Sequence, residues 1–196
     1  MHKPLAIARS ELILGGQKSG KSRRAEQLAQ QWLAQSPQHR AVMVATARPW
    51  DDEMRERIRR HQQDRAERVP GMATVEEPLE LAQAITRHSA VNTMVVVDCL
   101  TLWLTNLLMP APGFESNRPP AQAVHEHTAM ILRAIASAPG PVVLVGNEIG
   151  LGVIPLGRET RAFVDALGLL NQQVAGACES VTLMAAGLPL TLKALS

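Results

Sequence analysis

Short runs of apolar residues alternate with amphipathic stretches along most of this chain. Residues 10–14, 41–45, 93–98, 141–146 and 180–185 are rich in Val, Ile, Leu, Met and Ala, with 73–76 a weaker run. Each has the length and bounding residues of a buried strand. Between them the spacing predicts helices over 21–35, 51–65, 79–87, 100–108, 121–138 and 159–177. The first carries Ala25, Leu28, Ala29, Trp32 and Leu33 on one face. The second is highly charged, with Asp51, Asp52, Glu53 and Glu56 toward its start and arginines toward its end, an order that complements the helix dipole. Residues 191–193 are expected to close the sheet in a small hairpin.

Continuous apolar strands alternating with helices call for a parallel sheet covered on both faces, an α/β fold. Ligands in such sheets gather at the carboxyl ends of the strands. The segment around 109–120, with Pro110, Pro112, Gly113, Pro119 and Pro120, is expected to be a mobile loop and not a domain linker. With 196 residues, one domain over 11–196 is expected, preceded by an extension at 1–10 that is open to disorder.

Composition narrows the class. The hydrophobic share is 46% but aromatics are 3% and Tyr is absent, so aliphatic side chains must fill the core. Twenty basic and eighteen acidic residues give a net charge of +2. No basic surface interleaved with aromatics is present, which argues against nucleic-acid binding. Cys99 and Cys178 have no zinc-ligand spacing around them and read as buried thiols. The start of the chain lacks a signal-peptide pattern, and no apolar run is long enough to span a membrane. A cytoplasmic protein is expected.

Chemistry concentrates first at Gly15-Gly16-Gln17-Lys18-Ser19-Gly20-Lys21-Ser22, a full G-x-x-x-x-G-K-[ST] match between a predicted strand and a predicted helix. Glycines there let backbone N–H groups wrap a phosphate, and the following helix points its positive end at the same anion. Lys21 is expected to reach the β- and γ-phosphates and Ser22 to ligate Mg²⁺. Asp98 ends an apolar strand, where its carboxylate suits the same ion; alternatively it caps the next helix or orients a substrate hydroxyl. His61 lies near the end of the charged helix, among Arg57, Arg59, Arg60 and Arg65. Arginines of this kind stabilise charge on phosphate, and neutral imidazole is available near pH 7. By itself the segment reads as a solvated charged helix.

These blocks occur together, in order. The loop at 15–22 is followed by Ala45-Thr46-Ala47, then Asp51-Asp52-Glu53-Met54, Arg57-Ile58 and His61. Next come Val97-Asp98-Cys99-Leu100-Thr101-Leu102-Trp103 with Asn106-Leu107-Leu108, then residues 146–155, Asn171-Gln172 and Gly187-Leu188-Pro189-Leu190. From about residue 11 to 193 the set resembles the bifunctional adenosylcobinamide kinase / adenosylcobinamide-phosphate guanylyltransferase family of cobalamin synthesis. The resemblance implies a P-loop NTPase (RecA-like) fold, and ATP and GTP as substrates. It implies two reactions: phosphorylation of the adenosylcobinamide hydroxyl, then transfer of GMP through a histidine to adenosylcobinamide phosphate.

On the matching positions His61 is the nucleophile. Gly15 through Ser22, Ala45, Thr46, Ala47, Gln62, Gln63, Asp64, Arg65, Glu76 and Asp98 are the nucleotide contacts, with Glu77 beside Glu76 as a neighbour that could exchange with it. A homotrimer and a corrinoid substrate are likewise implied. Arg60 stands where some members carry a second histidine, and Leu156-Gly157-Arg158 departs from the family pattern. Residues 147–155 are expected to face substrate. The competing readings are a monofunctional P-loop kinase, in which His61 is idle, and a slow nucleotide-binding switch.

Overall fold

In the computed structural model, which describes residues 6–49, 52–109 and 120–194 apart from the side chains of 53, 54, 57, 58, 61, 120 and 121, strand β1 (Ser10–Gly15) lies inside a seven-stranded sheet. It pairs in parallel with β5 (Val142–Val145) on one side and β6 (Ser180–Ala185) on the other. Beyond β5 come β4 (Thr93–Asp98), β2 (Arg40–Ala45) and β3 (Met72–Glu76), all parallel. At the far edge β7 (Leu188–Lys193) runs antiparallel to β6, a longer strand than the hairpin expected at 191–193. This mostly parallel sheet bears out the α/β expectation. Strand β5 sits between the strand that feeds the P-loop and the strand that ends in Asp98.

Although the strands are apolar throughout, their two faces separate cleanly. Leu12, Leu14, Val95, Val97 and Leu144 point to one core, while Ile13, Met94, Val96, Val143 and Val145 point to the other. On the first face pack α3 (Leu81–His88), α4 (Leu100–Leu108), α5 (Pro120–Ser137) and α6 (Arg158–Ala177). On the second packs α1 (Lys21–Gln35) through Ala25, Leu28 and Ala29. With so few aromatics, Trp103 carries much of the larger core. It is fully buried, and its indole N–H donates to the Leu79 carbonyl at 2.9 Å. Each such side chain contributes about 1.5–3 kcal/mol by leaving water.

Two helix boundaries depart from expectation by more than one residue, for local reasons. The charged helix α2 (Asp52–Arg68) runs three residues past residue 65. Its last turn is held by Arg68, which pairs with Glu26 of α1 at 3.0 Å and with Asp64 at 3.1 Å. Helix α3 starts at Leu81 and not at 79, because the Glu77 carboxylate accepts the Leu79 and Glu80 N–H groups ahead of it.

Of the extension expected at 1–10, residues 1–5 lie outside the described residues, but the remainder is packed. Ala8 is buried, the Arg9 N–H donates to Glu179 at 2.9 Å, and the Arg9 guanidinium donates to the Ala136 carbonyl at 2.8 Å. Ser10 already belongs to β1. The loop expected at 109–120 lies almost wholly outside the described residues.

Candidate nucleotide-binding site

Strand β1 ends at Gly15, and α1 begins at Lys21, so the residues between turn the chain through the carboxyl edge of the sheet. The turn demands glycine where it packs. A Cβ on Gly15 would fall 2.5 Å from the Met184 carbonyl oxygen and 2.5 Å from Ser19 Oγ. Gly20, at φ 103°, precedes the helix in a conformation that side chains resist. Lys21 is 8% exposed, and its ammonium donates to the Gly16 carbonyl at 2.6 Å. Burial pushes its pKa below the usual lysine value, and coulombic interaction with Cys99 (where that thiol ionises, at high pH) and with Asp98 opposes that shift. Ser19 Oγ is buried and has no hydrogen-bond partner among the described residues. The loop therefore presents a largely buried ammonium and an unsatisfied hydroxyl at the start of a helix, an arrangement that suits an anion.

Asp98 ends β4, half-buried, two strands from β1. No hydrogen bond or ion pair to its carboxylate is present among the described residues. Ser22 lies in the first turn of α1. One carboxylate and one hydroxyl near a phosphate loop fit Mg²⁺, which takes few protein ligands and completes its octahedron with water and phosphate oxygens. No cluster of three or more His, Cys, Asp or Glu side chains suited to a metal occurs among the described residues. Burial pushes the adjacent Cys99 thiol up to about 11 and the Cys178 thiol up to about 12, so both are protonated and unreactive near neutral pH.

The other candidates lie farther along the carboxyl edge of the sheet, from the end of β2 beside Asp98 out to β3 and α2. Gln62 Nε2 of α2 donates to the Glu76 carboxylate at 3.2 Å, joining the helix to the end of β3. Four strand spacings, roughly 19 Å, separate β3 from β1. Glu76 and Glu77 are told apart here. Glu76 faces α2, whereas Glu77 is committed to the start of α3 and donates its N–H to the Ala45 carbonyl at 2.9 Å. Gln63 is exposed, Asp64 is paired with Arg68, and Arg65 is 8% exposed with its Nε unpartnered among the described residues. His61 lies in α2, next to Gln62; its side chain is outside the described residues. Ala45 and Ala47 are half-buried at the carboxyl end of β2. Between them Thr46 is fully buried, and its polar groups are all engaged by the protein.

Two supports of the site are not evident from local patterns. The turn between β6 and β7 consists of Ala186 and Gly187, at φ 50° and 80°, the pair of positive values a tight hairpin needs. Its Gly187 N–H donates to the Ser19 carbonyl at 3.0 Å, bracing the P-loop from the sheet edge. After β5, the backbone of Asn147 is gripped twice. Its N–H donates to Thr101 Oγ1 at 2.8 Å, and its carbonyl accepts from Asn171 Nδ2 at 3.0 Å. Glu148 then donates its N–H to the Gly15 carbonyl at 3.0 Å, so the segment leaving β5 touches the phosphate loop. The glycine at 187 and the asparagines at 147 and 171 were the visible signals; their partners were not.

Comparison with known proteins decides the family. A family model described as cobinamide kinase / cobinamide phosphate guanyltransferase matches residues 11–192. The chain belongs to this family. A Pseudomonas aeruginosa protein named bifunctional adenosylcobalamin biosynthesis protein is 44% identical over 184 residues, covering 93% of this chain and 96% of the relative. An Escherichia coli protein of the same description is 35% identical over 187 residues, covering 93% and 98%. The cobinamide kinase / guanyltransferase family unites a kinase and a guanylyltransferase on one scaffold, and this chain matches its relatives over nearly their whole length. Among solved structures, the flagellar accessory protein FlaH of Methanocaldococcus jannaschii superposes with a TM-score of 0.53 at 13% identity, covering 96% of this chain and 80% of that one. That likeness concerns the fold.

Proposed function

We propose that this chain phosphorylates adenosylcobinamide with a nucleoside triphosphate and then transfers GMP from GTP, through His61, to adenosylcobinamide phosphate. The observation that carries the reading is a complete phosphate loop with Asp98 across β5 from it, in a chain that matches this family from residue 11 to 192.

In the kinase step the acceptor hydroxyl oxygen attacks the γ-phosphorus, and the bond to the β–γ bridging oxygen breaks. The nucleoside diphosphate leaves, and the hydroxyl proton passes to solvent or to Asp98. The P-loop N–H groups and Lys21 hold the phosphates and offset the developing charge. Ser22 and Asp98 would hold Mg²⁺, which when bound screens the phosphate charges. In the second reaction a His61 nitrogen attacks the α-phosphorus of GTP and pyrophosphate leaves. The phosphate oxygen of the first product then attacks the same phosphorus, breaks the nitrogen–phosphorus bond and frees the histidine.

Purified protein given GTP, Mg²⁺ and adenosylcobinamide should yield adenosylcobinamide phosphate first and adenosylcobinamide-GDP later, separable by chromatography. Accumulation of the phosphate alone would instead support the monofunctional kinase. Asp98→Asn should flatten the Mg²⁺ dependence of turnover while sparing nucleotide affinity in EDTA, because the lost charge serves the ion and not the base or ribose. A Mg²⁺ titration superimposing on that of the wild type would make Asp98 a helix cap.

We further propose a homotrimer in the cytoplasm. Leu188, Leu190 and Leu192 stand exposed on the edge strand β7, and Leu151, Val153, Ile154 and Leu156 are exposed after β5. An apolar edge strand left in water invites pairing, and a subunit contact would cover it. Among the described residues no helix is long and apolar enough to cross a membrane.

A further inference from the structure

We infer that Thr46 is the positioning residue for Asp98, acting through the backbone and making no contact with nucleotide. Four hydrogen bonds converge on Thr46. Its N–H donates to the Asp98 carbonyl at 3.2 Å. Its hydroxyl donates to the Cys99 carbonyl at 2.7 Å and accepts the Cys99 N–H at 2.8 Å. Its own carbonyl accepts from Asn106 Nδ2 at 2.8 Å, and the same amide group reaches the Pro78 carbonyl at 3.1 Å. Thr46 has zero exposure and Asn106 is 2% exposed, so water cannot substitute for any of these partners.

Geometry gives this cluster its consequence. Ala45 is in register with Asp98, so Thr46 is the first residue past the paired ends of β2 and β4. There the ladder with β2 stops; Asp98 itself is still held on its other side by register with Val145 of β5, and it is the peptide that follows Asp98 which lies past the paired strands. The Thr46 hydroxyl both gives to and takes from Cys99, which fixes the peptide plane immediately after Asp98. Asn106 of α4 in turn fixes Thr46. The carboxylate, which has no partner of its own among the described residues, is thereby aimed by groups one residue away. With every polar group of Thr46 committed inward, none is left for a nucleotide.

This inference rests on the proposed role of Asp98 in holding Mg²⁺, and the test separates the two. Triphosphate affinity is measured with Mg²⁺ and with EDTA, alongside kinase kcat and KM, for wild type, Thr46→Val and Thr46→Ser. Thr46→Val keeps the shape but removes the hydroxyl. It should cost about 10–100-fold in kcat and in the affinity gained from Mg²⁺, with EDTA affinity and nucleotide KM nearly unchanged. Thr46→Ser restores the hydroxyl and should recover both. The Cys99 carbonyl keeps the Trp103 N–H at 3.1 Å in such a variant; if the unpaired Cys99 N–H prevents Thr46→Val from folding, Thr46→Ala leaves room for a water to pair it and should show the same pattern. Equal loss of affinity in Mg²⁺ and EDTA would make Thr46 a nucleotide contact and overturn the inference. So would wild-type behaviour of the valine variant, or failure of the serine variant to recover. Absence of any Mg²⁺ effect in the wild type would overturn the metal reading of Asp98 and this inference with it.

Discussion

Lys21→Ala should lower both transfer activities by about 10²-fold or more while leaving the protein fully folded. Both reactions draw on a triphosphate, and in the proposed mechanism one cradle serves them. Lys21 brings to it a mobile positive charge, held at the loop by the Gly16 carbonyl and otherwise enclosed. The pKa shift shows why the fold tolerates the loss. Burial lowers the folded-state value, so between that value and 10.5 the unfolded chain binds more protons than the folded one. The charged lysine therefore costs stability at neutral pH, and stability rises as pH climbs through that window. Thermal unfolding near pH 7 should place the alanine variant level with the wild type or above it. A bound triphosphate supplies the missing counter-charge and raises the lysine pKa again. Affinity for triphosphate should accordingly fall, with proton uptake on binding, as the pH passes the lowered value. Wild-type kinase turnover in Lys21→Ala would remove the phosphate-cradle assignment.

How much of this site could be read from the chain depended on the distance over which each signal acts. The P-loop is a local signal: eight consecutive residues, a preceding apolar strand and a following helix suffice, and the helix over 21–35 lies where its spacing placed it. The strands were legible because buried parallel strands are apolar without interruption, and the order of the motifs named the family. Thr46 was not legible in the same way. Read as a nucleotide contact, it spends its hydroxyl on Cys99, 53 residues away, and only the pairing of β2 with β4 brings the two together. The brace from Gly187 to Ser19 likewise needs the chain to return to β1 as β6. Glu76 and Glu77 are chemically identical neighbours; what separates them is that one ends a strand facing α2 and the other begins the turn into α3. Of the arginines read as charge for a phosphate, Arg59 is spent along the helix itself, pairing with Glu56.

His61 should become covalently guanylylated through a nitrogen–phosphorus bond, and no other residue should. The charged helix that bears it is secured at its carboxyl-terminal end, by Gln62 on Glu76 and by Arg68 on Glu26. Residue 61 is thus tied to the carboxyl edge of the sheet, the edge from which the P-loop also emerges. Imidazole chemistry meets the requirements of the step: the ring is nucleophilic when neutral, and it leaves readily from phosphorus once the acceptor attacks. The buried cysteines cannot compete, since their thiols stay protonated. The bond has its own signature, because a phosphoramidate hydrolyses in acid and survives base, the reverse of an acyl phosphate. Protein incubated with α-labelled GTP and Mg²⁺ should retain label after denaturation, lose it in acid and keep it in base. His61→Asn preserves polarity without a nucleophilic ring nitrogen, so its label should vanish while phosphorylation of adenosylcobinamide continues. Equal labelling of the asparagine variant, or no acid-labile label on the wild type, would leave His61 without a catalytic role and the chain a kinase alone.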